Sequence, residues 1–312
     1  MIAPLLFVVL LQAGSKPAPQ SAGERAALLA QAENAMKSGN RADAKRLFGT
    51  AAERYHSVTA LMQLARLESE EGHGTAAMRA LREARTLAPN SEDVLTAFSE
   101  VSLKMQAPVS AILTLEALTR MYPDEPRHPY LLGVALMRVG DVVAAIEPLR
   151  KANALEPDRP LTLLALGLAY NSRKEYSEAR PLLRRALDLE PENADTMAAL
   201  AEAESGVGDL ASAEHDAARA MQRAPANATA NFVIGVVRMA QERYAEARDA
   251  LLAAAVADPA SPKSEYQLSL VYARLGDQAA SDEHRTLYER KLRAIEQAVA
   301  ALHAPATGGV AR

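Results

Sequence analysis

The chain of 312 residues contains no cysteine and no tryptophan, and only four phenylalanines. Without cysteine, disulfides and thiolate metal sites are excluded. Charge of neither sign dominates: 35 Lys and Arg stand against 39 Asp and Glu, a net −4. The two signs alternate along the chain, which reads as a solvated surface and gives no basic footprint for nucleic acid. The apolar run Ile2–Leu11 falls well short of the roughly 20 residues that cross a bilayer. There is no HExxH, no GxSxG and no glycine-rich phosphate loop, so the common signatures of zinc hydrolysis, acyl transfer and nucleotide binding are missing. The six histidines are scattered singly. In Glu214-His215-Asp216 three polar neighbours would splay around a helix and could not converge on one ion. The turn Gly72-His73-Gly74 and the Asn227-Ala228-Thr229 acceptor pattern read as structural, Asn227 as a helix N-cap. No catalytic residue, cofactor or metal site is expected, and the chain reads as a non-enzyme.

What is present is a period. Pro89, Pro123, Pro157, Pro191, Pro225 and Pro259 follow one another at a constant spacing of 34 residues. Proline is about 5% of average sequence, so five repeats of one spacing by chance have a probability of roughly 3 in 10 million. The other columns agree. Ala77, Ala111, Ala145, Ala179, Ala213 and Ala247 precede the prolines at one offset; Ala65, Ser99, Gly133, Gly167, Ala201 and Gly235, all small, precede them at another. Leu81, Leu115, Leu149, Leu183, Ala217 and Leu251 form a third column.

Each period carries two apolar stripes of helical spacing. In the fifth these are Leu163, Leu166 and Tyr170, then Leu182, Leu183, Ala186 and Leu189. Gly39, Gly72, Gly140, Gly208 and Gly276 fall at the break between stripes, where a left-handed C-cap needs no Cβ; Gln106, Lys174 and Glu242 fill the same place in other periods. The small columns let the two helices of a hairpin approach closely. Proline ends the second helix because it lacks an N–H and clashes with the preceding turn. Ser91, Asn193, Asn227 and Ser261 are placed to cap the next helix, and Pro126, Pro160 and Pro262 to occupy its first position. Pro148 and Pro181 are expected to bend the second helices slightly without breaking them.

A helix–turn–helix unit of 34 residues with a small residue, then Ala, then Pro at these offsets resembles the tetratricopeptide repeat. The segments LLALGLAYNSRKEYSEARPLLRRALDLEP (163–191) and LLGVALMRVGDVVAAIEPLRKANALEP (131–157) carry the resemblance most fully. Leu and Met replace the aromatic usual near the start of such a unit. The resemblance, to a bacterial exported type, implies an all-α, right-handed solenoid of about eight stacked repeats. Units fall near 25–57, 58–91, 92–125, 126–159, 160–193, 194–227, 228–261 and 262–293. Residues 294–303 would end a C-terminal capping helix, which a solenoid needs because its last unit has no neighbour to cover it. A tail, 304–312, is expected to be disordered. At the other end, the apolar run followed by Ala13-Gly14-Ser15 reads as a signal peptide over 1–15 with a linker over 16–24. That implies export to a periplasm or the exterior, a cytoplasmic location being the alternative.

The resemblance also places the first helices of successive units around a concave groove. Its lining is expected at Tyr130, Val134 and Met137 in the fourth unit, Leu161, Leu164, Leu168 and Asn171 in the fifth, Phe232, Val236 and Met239 in the seventh, and Tyr266 and Leu270 in the eighth. Toward the N-terminus the lining turns mixed, with Glu33, Met36, Met62, Arg66 and Glu100, and Glu202 interrupts it in the sixth unit. The paired Lys and Asn residues with which some family members hold a peptide carboxylate are replaced by Leu29, Glu33, Met62 and Thr96. An apolar groove rich in adaptable side chains points to a protein-interaction scaffold that binds an apolar peptide or protein segment. The alternative is an accessory or substrate-presenting subunit of an enzyme, such as a glycosyltransferase or peptidase, supplied in trans. The partner is expected to be protein or peptide and not nucleic acid, with no stable membrane span and with self-association through the first unit open.

Overall fold

The computed structural model describes residues 19–304. The expected signal peptide over 1–15 and nearly all of the expected tail lie outside the described residues. Those described form sixteen helices and no strand: α1 (Pro19–Lys37), α2 (Arg41–Tyr55), α3 (Val58–Glu70), α4 (Gly74–Leu87), α5 (Glu92–Lys104), α6 (Pro108–Met121), α7 (Arg127–Val139), α8 (Val142–Leu155), α9 (Pro160–Ser172), α10 (Tyr176–Leu189), α11 (Ala194–Gly206), α12 (Leu210–Arg223), α13 (Ala228–Ala240), α14 (Tyr244–Ala257), α15 (Lys263–Leu275) and α16 (Gln278–His303). In chain order they make eight consecutive pairs, and the fold is an all-α repeat solenoid. Helix α1 begins at Pro19, so residues 19–24, expected as linker, are already helical.

Two compact units divide between Val101 and Ser102. The first buries Ala32, Ala44, Phe48, Ala51, Leu61, Ala65, Ala77, Leu81 and Ala84 in one core, closed by Val94 and Phe98. The Arg85 guanidinium lies 4.6 Å above the Phe98 ring, a favourable cation–π arrangement.

In the second unit each first helix packs on its own second helix and on the next first helix, α7 on α9, α9 on α11, α11 on α13 and α13 on α15. The first helices therefore form the inner side of this unit's curve and the second helices the outer. Hairpin closure rests on one side-chain contact. A β-carbon at Gly133 would lie 2.4 Å from Leu149 Cγ; at Gly167, 2.5 Å from Leu183; at Gly235, 2.6 Å from Leu251. The leucine fills the place where the glycine has no side chain. In the sixth unit both columns carry alanine, Ala201 and Ala217, and both are fully buried.

The turns inside the pairs are equally uniform. A backbone N–H bonds back five residues in all eight: Asn40 to Ala35, His73 to Glu68, Ala107 to Ser102, Asp141 to Leu136, Glu175 to Tyr170, Asp209 to Glu204, Arg243 to Arg238 and Asp277 to Tyr272, at 2.8–3.0 Å. This is the Schellman closure, which requires a left-handed residue. Glycine supplies it five times; Gln106, Lys174 and Glu242 adopt φ of 56°, 62° and 60°. The next residue starts the second helix, and Asp141, Asp209 and Asp277 each accept a bond from a first-turn N–H. Those three aspartate caps had no place in the sequence-based expectations.

Between pairs, the second helices end two residues before the periodic proline. The residue between, Ala88, Tyr122, Glu156, Glu190, Ala224 or Asp258, takes φ between −138° and −125° and ψ between 70° and 86°, because a following proline disfavours the helical region. Asn193 and Asn227 cap α11 and α13 as expected. Ser261 does not cap α15: Pro262 holds the N-cap position, and Pro126 does the same for α7, one place before the expected first helical position. Helices α8 and α10 run unbroken through Pro148 and Pro181. In α10 the buried stripe passes through Leu183, Ala186 and Leu187, leaving Leu189 at 37% exposure; three- and four-residue steps from Leu183 select Leu187 over Leu189.

Lys174→Gly and Glu242→Gly should each stabilise the protein by about 0.5–1 kcal/mol. Relief of a left-handed side chain, about 1–2 kcal/mol, exceeds the added chain entropy of glycine, about 0.5–1 kcal/mol. Thermal unfolding followed by circular dichroism would read this as a raised midpoint, and an unchanged or lowered midpoint would contradict it.

Candidate functional site on the inner face

The inner side of the second unit is built by α7, α9, α11, α13 and α15. Of the expected lining residues, Leu161, Tyr266 and Leu270 are exposed, at 46%, 46% and 39%. Tyr130, Val134, Met137, Leu164, Leu168, Phe232, Val236 and Met239 are half-buried. Tyr130 lies under the Arg159 guanidinium at 5.0 Å, and burial pushes its phenol above the usual tyrosine range. Phe232 and Met239 also pack on the core of α14 and α15. Asn171 does not belong to the face. It is buried, and its Nδ2 donates to the Ala199 carbonyl at 2.8 Å, tying α9 to α11.

Charge enters this face at two places. Buried Glu202 on α11 pairs with Lys263 at the start of α15. This ion pair passes over α13 and, with Phe232, Thr229, Ser261 and Ser264, lines a small recess. Buried Glu265 on α15 receives Lys291 Nζ at 2.6 Å and His284 Nδ1 at 2.6 Å, both from α16. Burial opposes ionisation of Glu265, but these two partners hold its carboxyl below the usual range. The His284 ring stacks on Tyr272, with centroids 5.2 Å apart and planes 7° apart.

Helix α16 does more than cap the last pair. Tyr288 sets its ring against Tyr266, centroids 5.4 Å apart. Lys291 Nζ also donates to the Ser261 carbonyl at 3.2 Å. Beyond that point the helix reaches the fourth pair: Ile295 lies against Gly140, and His303 pairs with Asp141. From Lys291 to Ile295 is only about 6 Å of helix axis. The start of α15 and the α7–α8 turn therefore face each other across little more than one turn of α16.

Two other clusters are structural. Glu68, Glu71 and His73 converge in the first unit, but Lys45 Nζ already sits 2.8 Å from both carboxylates. Of Glu214, His215 and Asp216, Glu214 turns away to Arg238, while Asp216 turns inward to Arg219 at 3.1 Å and the exposed His215 ring comes within 4.0 Å of its carboxylate. Asp216 meets a group that the sequence did not mark, Glu204. Its Oε1 accepts from Arg184 at 2.5 Å, while its Oε2 is buried without a partner. Burial first, and the nearby Asp216 carboxylate second, push Glu204 up to about 7.

Tetratricopeptide repeat models match residues 29–92, 110–160 and 198–262, and a second such model matches 160–203. The chain belongs to the tetratricopeptide repeat family. Proteins of this family generally mediate protein–protein interactions. No curated protein sequence matches the chain. Among solved structures, a tetratricopeptide repeat protein from Parabacteroides merdae is 14% identical, covers 83% of this chain and 99% of its own, and superposes with a TM-score of 0.60. Cut9–Hcn1 of the APC/C is 17% identical over 80% of this chain and 47% of its own, TM-score 0.59. The human IFIT1 dimer with PPP-AAAA is 15% identical over 93% and 76%, TM-score 0.56. At these identities the likeness is one of fold. Among the described residues no helix is long and apolar enough to cross a membrane.

Glu204 gives a pH dependence with a definite sign. Its folded pKa, about 7, lies above the ordinary 4.5, so folding favours the protonated carboxyl. The stabilisation is complete below about pH 4.5 and is lost as pH rises through 7. Glu204→Gln, which mimics the protonated group, should be more stable than the parent by on the order of 2 kcal/mol at pH 8 and equal to it at pH 4. Denaturant midpoints at the two pH values would show this; parallel pH profiles would contradict it.

Proposed function

We infer that this protein is a non-enzymatic scaffold whose second unit binds an apolar peptide or protein segment on its inner face. The observation that carries this reading is the exposure of Leu161, Tyr266 and Leu270 on the helices that build this face. Half-buried Leu164, Leu168, Phe232 and Val236 extend the same face. Covering about 400 Å² of apolar surface would contribute on the order of 10 kcal/mol before the costs of association. The outer helices also show apolar side chains, Leu113 at 73% and Val256 at 80%. Val256 stands singly, as is normal on any surface, while Leu113 has only Val109, 54% exposed, one turn before it on α6. Export remains part of the reading, supported by the apolar run Ile2–Leu11 and the small residues after it; N-terminal sequencing of the mature protein would show cleavage after Ser15.

A photocrosslinking residue at Leu161 or Tyr266 should capture a discrete protein partner in cells. The same residue at Leu113 or Val256 should capture it at least about tenfold less, since outer helices lie outside the contact. The double variant Leu164→Glu/Phe232→Glu should lose capture while keeping its helicity. Equal yields from inner and outer positions would reject the inner face as the binding site.

A further inference from the structure

We propose that the distal stretch of α16, residues 292–303, is a built-in occupant of the seat that an amphipathic helix from a partner protein takes on the inner face. The proposal rests on the inner-face reading above and adds what the ligand is and what guards the site.

The two halves of α16 are held differently. The proximal half is anchored: Ser281 is buried and donates to the Ser269 carbonyl at 2.8 Å, His284 and Lys291 grip Glu265, and Tyr272 stacks on His284. No residue after Ser281 is fully buried. The distal stretch touches the fourth pair through Ile295 on Gly140 and His303 on Asp141. Asp141 has a second duty, since its other oxygen caps α8 through the Ala144 N–H at 3.1 Å. The turn therefore stays capped when His303 leaves.

The seat defines the visitor. From Tyr288 onward the half-buried side chains of α16 are Tyr288, Lys291, Leu292, Ile295, Val299 and Leu302, while Glu289, Arg290, Arg293, Glu296 and Gln297 face solvent. Steps of three and four residues put the first set on one stripe of a helix. A competing helix would carry aliphatic residues at the spacing of Leu292, Ile295, Val299 and Leu302, the second of them to meet Gly140, and a basic residue about two turns after it to meet Asp141. Recognition of an amphipathic helix by such anchors is a general mode of peptide binding. As part of the same chain, the distal stretch competes at a high effective concentration, so it lowers the apparent affinity for any helix added from outside.

The chain has no cysteine, which makes a reversible lock available. A β-carbon at Gly140 would lie 3.7 Å from Ile295 Cβ, within disulfide range. The test uses the full chain and a labelled synthetic peptide of residues 286–303, with binding followed by fluorescence anisotropy. Ile295→Asp/Leu302→Asp, which loosens the distal stretch, should bind the peptide about tenfold or more tightly than the parent. Gly140→Cys/Ile295→Cys should bind about tenfold more weakly when oxidised than when reduced. Comparing one protein in two redox states keeps the test independent of any folding defect in the variants. A difference under about threefold in either comparison, against the competition expected, overturns the proposal. If photocrosslinks at Leu161 and Tyr266 form equally in the oxidised and reduced states, the inner face binds its partner but α16 does not guard it.

Discussion

Close contact between a small residue on one helix and a leucine on the next sets the geometry on which the second unit depends. Gly133 against Leu149, Gly167 against Leu183 and Gly235 against Leu251 bring the axes of each hairpin together. A side chain at the glycine would force the pair open by overpacking, at a cost of about 1–3 kcal/mol. With the pairs closed, the first helices reach one another, and their free sides become one continuous inner surface. The left-handed turn and the restricted residue before each proline then fix where one helix stops and the next begins.

The same constraint produces the surface proposed to bind. Small residues are spent on the side of the first helix that meets its own partner. Larger apolar residues are left on the side that meets nothing within the pair. A solenoid has no central core to absorb them, so they are covered by an end helix, by a partner, or by both in turn. Helix α16 covers part of this surface, and its weakly held distal half lies where exchange with another helix would cost least. Asp141 places a buried carboxylate at the far end of that half, where it meets His303, which favours ligands with a basic group over wholly apolar ones.

Much of this architecture was legible because it is local and repeated. Eight turns were marked by glycine or by Gln106, Lys174 and Glu242, and all eight adopt positive φ. Features that break the period were not legible. Asn171 lies where a helix-end polar residue usually meets water; instead it satisfies the Ala199 carbonyl of the next pair. Glu204 and Asp216 are driven together by hairpin packing, and nothing in their own stretches shows it. The seat of α16 joins His303 to Asp141 and Ile295 to Gly140, residues far apart in the chain, and the heptad-like stripe in α16 reads equally well as a plain cap. Lys291 and His284 belonged to the same silence, because a buried Glu265 announces itself only in three dimensions.

The central claim is that α16 is one helix with two roles, a fixed proximal half and an exchangeable distal half. Amide hydrogen exchange resolved along α16 tests it most directly, because exchange reports local opening free energies. The account predicts a step at Lys291: amides before it are protected to a degree comparable with α15, and those from Leu292 onward exchange together at least about tenfold faster. Uniform protection from Ser281 to Leu302 would contradict the account, because it would make the whole of α16 a permanent part of the fold.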